Sequence, residues 1–183
     1  MNAPNAVEET VGAFAPRLRS GGAAIRVSTR MPELALYEPD IAGNTGTLIR
    51  LCACLGTALH IIEPAGFRMD DTALRRAGMD YIDLASVRRH TNWAAFLDWR
   101  DNRRLILLTT KADTAYCAVA YRNDDILLLG SESSGVPDHV HKSADPSVTI
   151  PMATGARSLN VAVAGAMVLG EAMRQTGNFP AQS

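Results

Sequence analysis

The sequence predicts an α/β domain built on a mostly parallel sheet with flanking helices. Three observations lead there. Short apolar runs alternate with helix-like segments from residue 34 to the C-terminus. Two of those runs, Leu105-Ile106-Leu107-Leu108 and Ile126-Leu127-Leu128-Leu129, are aliphatic without alternation, as strands covered on both faces are. The chain has 183 residues, 47% hydrophobic and 20% charged, the size and composition of one globular domain. Such a domain holds a core without disulfides or a structural metal, and no metal is expected.

Taken in order, residues 1–30 read as a loosely ordered leader, and residues 31–183 as the folded domain. The leader scatters Pro4, Gly12, Pro16, Gly21 and Gly22 among Arg17, Arg19, Arg26 and Arg30 without a sustained period. Glu8 and Glu9 count against a presequence. Leu34 to Tyr37 is a buried strand closed by Pro39. Asn44 to Leu55 is a helix, with Asn44 as its cap and Gly56 just past its end. Ala58 to Ile62 is a second strand, stopped by Pro64. Asp70 to Ala77 is a short helix, acidic at its start and basic at its end. Tyr81 to Leu84 is a weak strand. Trp93 to Arg100 is a helix behind the cap candidates Thr91 and Asn92, with Trp93, Phe96, Leu97 and Arg100 on one face. The two aliphatic runs follow as strands. Val148 to Ile150 is a last strand before Pro151, and Ser158 to Gln175 is the longest helix.

Charge and cysteine narrow the function classes. Lys and Arg number 18 against 19 Asp and Glu, a net charge of −1 at pH 7. A nucleic-acid partner must therefore be gripped by local patches. Candidates are Arg75-Arg76, Arg88-Arg89-His90, and Arg100 with Arg103-Arg104, though singly such clusters more often mean a solvated face. Cys52, Cys54 and Cys117 form no ligand pattern and read as reduced residues packed as small hydrophobes, which suits the cytoplasm. The longest apolar stretch, Val161 to Leu169, is too short for a bilayer, which needs about 20 residues.

Ligands of open parallel sheets bind beyond the carboxyl ends of the strands. Three segments belong there. In the first, Asn44-Thr45-Gly46-Thr47-Leu48-Ile49-Arg50, two polar residues bracket the opening helical turns and Gly46 keeps backbone accessible. In the second, Gly130 and Gly135 flank Ser131-Glu132-Ser133-Ser134, leaving amides to face a ligand. It is neither a dinucleotide fingerprint nor a phosphate loop, and Glu132 favours a neutral or cationic ligand. The third runs from Ile150-Pro151-Met152 to Arg157-Ser158-Leu159-Asn160, with Ser158 as cap candidate and Asn160 facing inward. The helix that follows is apolar on nearly every face and rich in Ala and Gly, as a helix at a dimer interface would be. His139 and His141 read as surface residues without a role.

In this order, the segments resemble the motifs of the SPOUT methyltransferases, most closely the TrmL-type branch that 2′-O-methylates the tRNA wobble nucleotide. The similarity covers about residues 33–177. Its further strings are Leu36-Tyr37-Glu38-Pro39, Leu59-His60-Ile61-Ile62-Glu63-Pro64, Leu74-Arg75-Arg76-Ala77-Gly78 with Asp80-Tyr81, and Leu108-Thr109-Thr110-Lys111. The resemblance implies a homodimer with a C-terminal trefoil knot, in which S-adenosylmethionine binds in a bent shape. It implies a donor pocket at Leu108, Thr109, Gly130, Ile150, Met152 and Ser158. It further implies a catalytic Arg50 held by Asn44, acting on the anticodon stem-loop of tRNA. One departure stands out. Where relatives commonly carry a second Asn and an aromatic-Glu pair, this chain has Val163 and Gly170-Glu171. A related enzyme acting on another tRNA or rRNA ribose, and a non-catalytic RNA-binding knotted dimer, remain the alternatives. A nicotinamide enzyme is excluded by the missing glycine fingerprint.

Overall fold

The computed structural model describes residues 30–68, 72, 74, 76, 81 and 85–181. The expected leader, save Arg30, lies outside these residues. The described elements are β1 (Glu33–Tyr37), α1 (Ala42–Leu55), β2 (Ala58–Ile62), β3 (Ser86–His90), α2 (Trp93–Arg100), β4 (Leu105–Leu108), β5 (Ile126–Leu129), α3 (Asp138–His141), β6 (Ser147–Val148) and α4 (Val161–Thr176). The strands form one six-stranded sheet in the order β3-β2-β1-β5-β4-β6. Every pairing between them is parallel.

Both faces of the sheet are covered, which is why the aliphatic runs lack alternation. Leu34, Leu36, Ile106, Leu127 and Leu129 meet Leu48, Ile49, Val168 and Leu169 from α1 and α4. Ala35, Tyr37, Leu105, Leu107, Ile126 and Leu128 meet Phe96 and Val140 on the other side. The small residues of α4 have a packing purpose at Gly165. A Cβ there would lie 2.9 Å from Leu48 Cδ2 and 3.0 Å from Leu129 Cδ1, so α4 approaches both α1 and the sheet closely.

Several local expectations need correction. Helix α1 begins at Ala42 behind Ile41, with no side-chain cap, and Asn44 lies inside its first turn. Gly46 is buried in that helix and offers no accessible backbone. Helix α4 is capped by Asn160, whose Oδ1 accepts from the Ala162 and Val163 amides at 2.9 and 3.3 Å. Ser158 stays in the preceding loop, and Asn160 is exposed. The Asn92 cap of α2 is as read, its Oδ1 accepting from the Ala95 amide at 2.9 Å. The last strand ends at Val148, with Thr149 in a lone bridge to Ala115. Thr72, Leu74 and Arg76 are helical and Tyr81 lies in a 3-10 turn; the rest of the readings for 70–77 and 81–84 lies outside the described residues. The edge strand β3 escaped the sequence reading because Ser86-Val87-Arg88-Arg89-His90 looks like a charge cluster. Cys54 and Cys117 are exposed; only Cys52 is packed away. Among the described residues no helix is long and apolar enough to cross a membrane.

Part of the basic clusters is taken up by the fold: Arg103 and Arg104 are paired in it, whereas Arg76, Arg88 and Arg89 stay exposed. Arg103 Nη1 binds Glu33 Oε2 at 2.6 Å, and Arg104 grips the buried Asp125 through two bonds of 2.7 and 2.6 Å. Arg89 pairs with Glu63 across the sheet edge. The guanidiniums of Arg88 and Arg103 both lie over Trp99, at 5.0 and 5.3 Å from its ring centre. Glu33 also receives His60 Nε2 at 3.0 Å, and His60 Nδ1 meets His90 Nε2 at 3.0 Å. One proton per ring satisfies this chain: His90 donates to His60, which donates to Glu33. Burial holds both imidazoles neutral, His90 pushed down to about 4.

Candidate active site

A cavity of about 520 Å³ opens where the carboxyl ends of β4 and β5 meet the loops leading into α1, α3 and α4. Its size falls within the usual range for small-molecule sites. Leu107, Leu108, Leu129, Ile150, Val161 and Ala164 give it apolar walls, while Thr109, Ser131, Ser134, Ser158 and Asn160 supply polar atoms. All six residues expected to hold a donor line it: Leu108, Thr109, Gly130, Ile150, Met152 and Ser158. Asn44 lines it too, whereas Arg50 does not.

The Gly130–Gly135 loop owes its shape to its two glycines. Ser131 and Gly135 exchange backbone hydrogen bonds of 3.0 and 2.8 Å, which closes a tight turn. A Cβ on Gly130 would lie 2.6 Å from the Gly135 carbonyl carbon, and Gly135 sits at φ 70°. Neither position accepts a side chain without distortion.

A chain of side-chain bonds ties this loop to the other two segments. Glu132 Oε1 accepts from Asn44 Nδ2 at 3.0 Å, and Oε2 accepts from the Asp40 amide at 2.9 Å. Asn160 Nδ2 donates to Asn44 Oδ1 at 2.9 Å, while its own Oδ1 caps α4. Asp40 Oδ2 accepts from Ser131 Oγ at 2.7 Å and from the Ser133 amide at 2.9 Å. Hydrogen bonds from Ser133 and Ser131 hold the Asp40 carboxyl below the usual carboxylate range. Asn44 is thus claimed by Glu132 and Asn160, while the cap position of α1 belongs to Ile41, whose side chain has no acceptor.

Asn44 and Arg50, expected to act together, both belong to α1. Six residues separate them, which is about 120° around a helix of 3.6 residues per turn, so the two side chains leave on different faces. Arg50 is exposed, its guanidinium 5.0 Å from the centre of the Tyr81 ring. Asp40 is a residue that the sequence does not single out, and His141, expected at the surface, lines the cavity. Only the spacing of Asp40 from Asn44, four residues, hinted that both serve one loop. Among the described residues no group of three or more His, Cys, Asp or Glu is placed to hold a metal ion.

Apolar side chains from the ends of β4 and β5 and hydroxyl groups from the surrounding loops line the cavity together, and Glu132 is the carboxylate among its lining residues.

The profile of the SpoU rRNA Methylase family matches residues 31–170. The chain is 60% identical over 148 residues to a tRNA (cytidine(34)-2′-O)-methyltransferase of Ancylobacter novellus, covering 80% of this chain and 94% of that one. It is 46% identical over 149 residues to the protein of the same name from Escherichia coli K12, covering 80% and 95%. A solved structure concerned with the 2-OH methylation of C/U34 on tRNA superposes with a TM-score of 0.77 at 38% identity, covering 80% of this chain and 96% of that one. The SpoU methyltransferase AviRb of Streptomyces viridochromogenes, solved with the cofactor AdoMet, gives a TM-score of 0.74 at 26% identity, covering 82% and 62%.

Proposed function

Because this chain belongs to the SpoU family of RNA methylases, we propose that it methylates the ribose 2′-oxygen of the wobble nucleotide, position 34, of tRNA. The observation that carries this reading is the convergence of three sequence-distant loops, bonded through Asn44, Glu132 and Asn160, on one mixed apolar and polar cavity. S-adenosylmethionine, when bound there, supplies an electrophilic methyl group on a sulfonium. Leu108, Thr109, Gly130, Ile150, Met152 and Ser158, which line the cavity, would hold its adenine and ribose. Attack by the ribose oxygen requires alignment and loss of the hydroxyl proton.

Arg50 is unsuited to removing that proton, because a guanidinium does not deprotonate near neutrality. Its task is to orient the 2′-hydroxyl and the neighbouring phosphate and to stabilise developing charge. A second copy of the chain would bring it to the chemistry. Ile41 and Leu159, which line the cavity, and Val163 and Met167 on α4 are 48%, 40%, 50% and 36% exposed, and such uncovered apolar side chains support a homodimer. Arg50 of one subunit then serves the cavity of the other. The sheet order, with β5 seated between β1 and β4, and the packing of α4 on α1 support the family's C-terminal knot. The substrate is gripped at its anticodon stem-loop, and the reaction belongs to the cytoplasm.

Transfer of labelled methyl groups from the donor into total tRNA lacking this modification, followed by nucleoside analysis, tests the reading. Label is expected in 2′-O-methylcytidine or 2′-O-methyluridine at position 34. Label at another ribose would move the target, and donor binding without transfer would make the protein a knotted RNA binder. Arg50→Lys is expected to cut turnover about tenfold or more while leaving donor affinity unchanged, since a point charge cannot copy bidentate geometry.

A further inference from the structure

We propose that Asp40 is a positioning residue for the methyl donor: its carboxylate sets the shape of the Gly130–Gly135 loop that walls the cavity. The inference rests on reading that cavity as the donor site. Asp40 does not line the cavity, so it acts only through the loop. One of its oxygens, Oδ2, receives both the Ser131 hydroxyl at 2.7 Å and the Ser133 amide at 2.9 Å. The Ser131 hydroxyl in turn lies 3.2 Å from the hydroxyls of Ser133 and Ser134, so one carboxylate oxygen organises the whole turn. Its backbone is bound from the same side, the Asp40 amide donating to Glu132 Oε2 at 2.9 Å. Loop and anchor are therefore locked in two directions, and Glu132 is aimed at Asn44 as a result.

Asp40 is itself held from behind. The Gly66 amide donates to the Pro39 carbonyl at 2.9 Å, and a Cβ on Gly66 would fall 3.1 Å from Asp40 Cα and 3.3 Å from its carbonyl oxygen. No side chain fits between the two segments unless Asp40 gives way. Gly66 is thus a lever on Asp40 from outside the cavity.

The test is calorimetric binding of S-adenosylhomocysteine to the full chain, with steady-state kinetics for the donor. Removing charge-assisted bonds from the loop in Asp40→Ala should weaken binding about tenfold or more. The donor KM should rise in step, while kcat at saturating donor stays within about twofold. Asp40→Glu, which keeps the carboxylate, should recover part of the loss. Gly66→Ala, which touches neither donor nor loop, should weaken binding about threefold by displacing Asp40. A merely structural role would lower thermal stability and kcat with donor affinity unmoved, and that result overturns the proposal. Should Asp40→Ala fail to fold, unchanged affinity in Gly66→Ala overturns it equally. If the wild-type chain itself does not bind S-adenosylhomocysteine, the reading of the cavity is what fails.

Discussion

Two polar networks cross this sheet, and they are built for opposite ends. One joins Asp40, Asn44, Glu132 and Asn160 beside the cavity, with its members at least partly open to solvent. The other joins Glu33, His60, His90 and Arg103 under Phe96 and Trp99, where His60 and His90 are 1% and 5% exposed. Both draw their hydrogen-bond partners from far away in sequence. The first borders the cavity; the second packs against the rings of Phe96 and Trp99. The contrast teaches that a cluster of His, Glu and Arg is no sign of chemistry by itself. What matters is whether a space adjoins it.

The comparison can be broken in a graded series. The largest effect is expected from the paired carboxylates. Glu132→Ala should weaken donor binding about tenfold or more, as the bonds from Asn44 and the Asp40 amide vanish from the cavity wall, with the smaller loss of thermal stability of the pair. Glu33→Ala should do the reverse. It strips Arg103 and His60 of a shared partner and should cost about 3 kcal/mol of stability, read from urea midpoints, with donor affinity unaltered. If Glu33→Ala instead weakened donor binding, the two networks would be coupled and the contrast lost.

A smaller effect follows from pH. An unfolded histidine takes up its proton near pH 6.5, whereas folded His90 does so only near about 4. Burial moves His60 in the same direction, with Arg103 and Arg88 nearby. The unfolded state thus binds more protons between those limits, so stability is constant above pH 6.5 and falls as pH drops toward 4. Glu33 adds to the acid side: burial raises its pKa, but His60 and Arg103 more than offset this and carry it below the carboxylate norm. Its contribution is present above about pH 4.3 and fades as the pH falls further. Urea midpoints at pH 7, 6 and 5 should show this slope, and His90→Asn should flatten it.

The smallest effect belongs to the sheet edge. Arg89, 49% exposed in its pair with Glu63, should tolerate Arg89→Gln within about 0.5 kcal/mol, since exposed ion pairs contribute little. A larger loss in thermal melts would mean that the edge strand depends on this pair.

The aliphatic strands, the bodies of the long helices and the loops that line the cavity were legible in the sequence, whereas the starts of α1 and α4 and the edge strand β3 were not. Periodicity, glycine stops and runs such as Leu105–Leu108 depend on neighbours a few residues away, and those neighbours are written side by side. The motif order also pointed to a family, because Asn44, Gly130 and Ser158 recur in a fixed sequence of segments. The tertiary structure decided the rest. Asn44 binds Asn160 across 116 residues, and Asp40 reaches Ser133 across 93. No local pattern could show that Asn44 would bond Glu132 and Asn160, or that Arg103 and Arg104 would be consumed by Glu33 and Asp125. A side chain's chemistry is set by its own atoms, but its partner is set by which strand lies beside which. That order is fixed by the packing of the whole sheet.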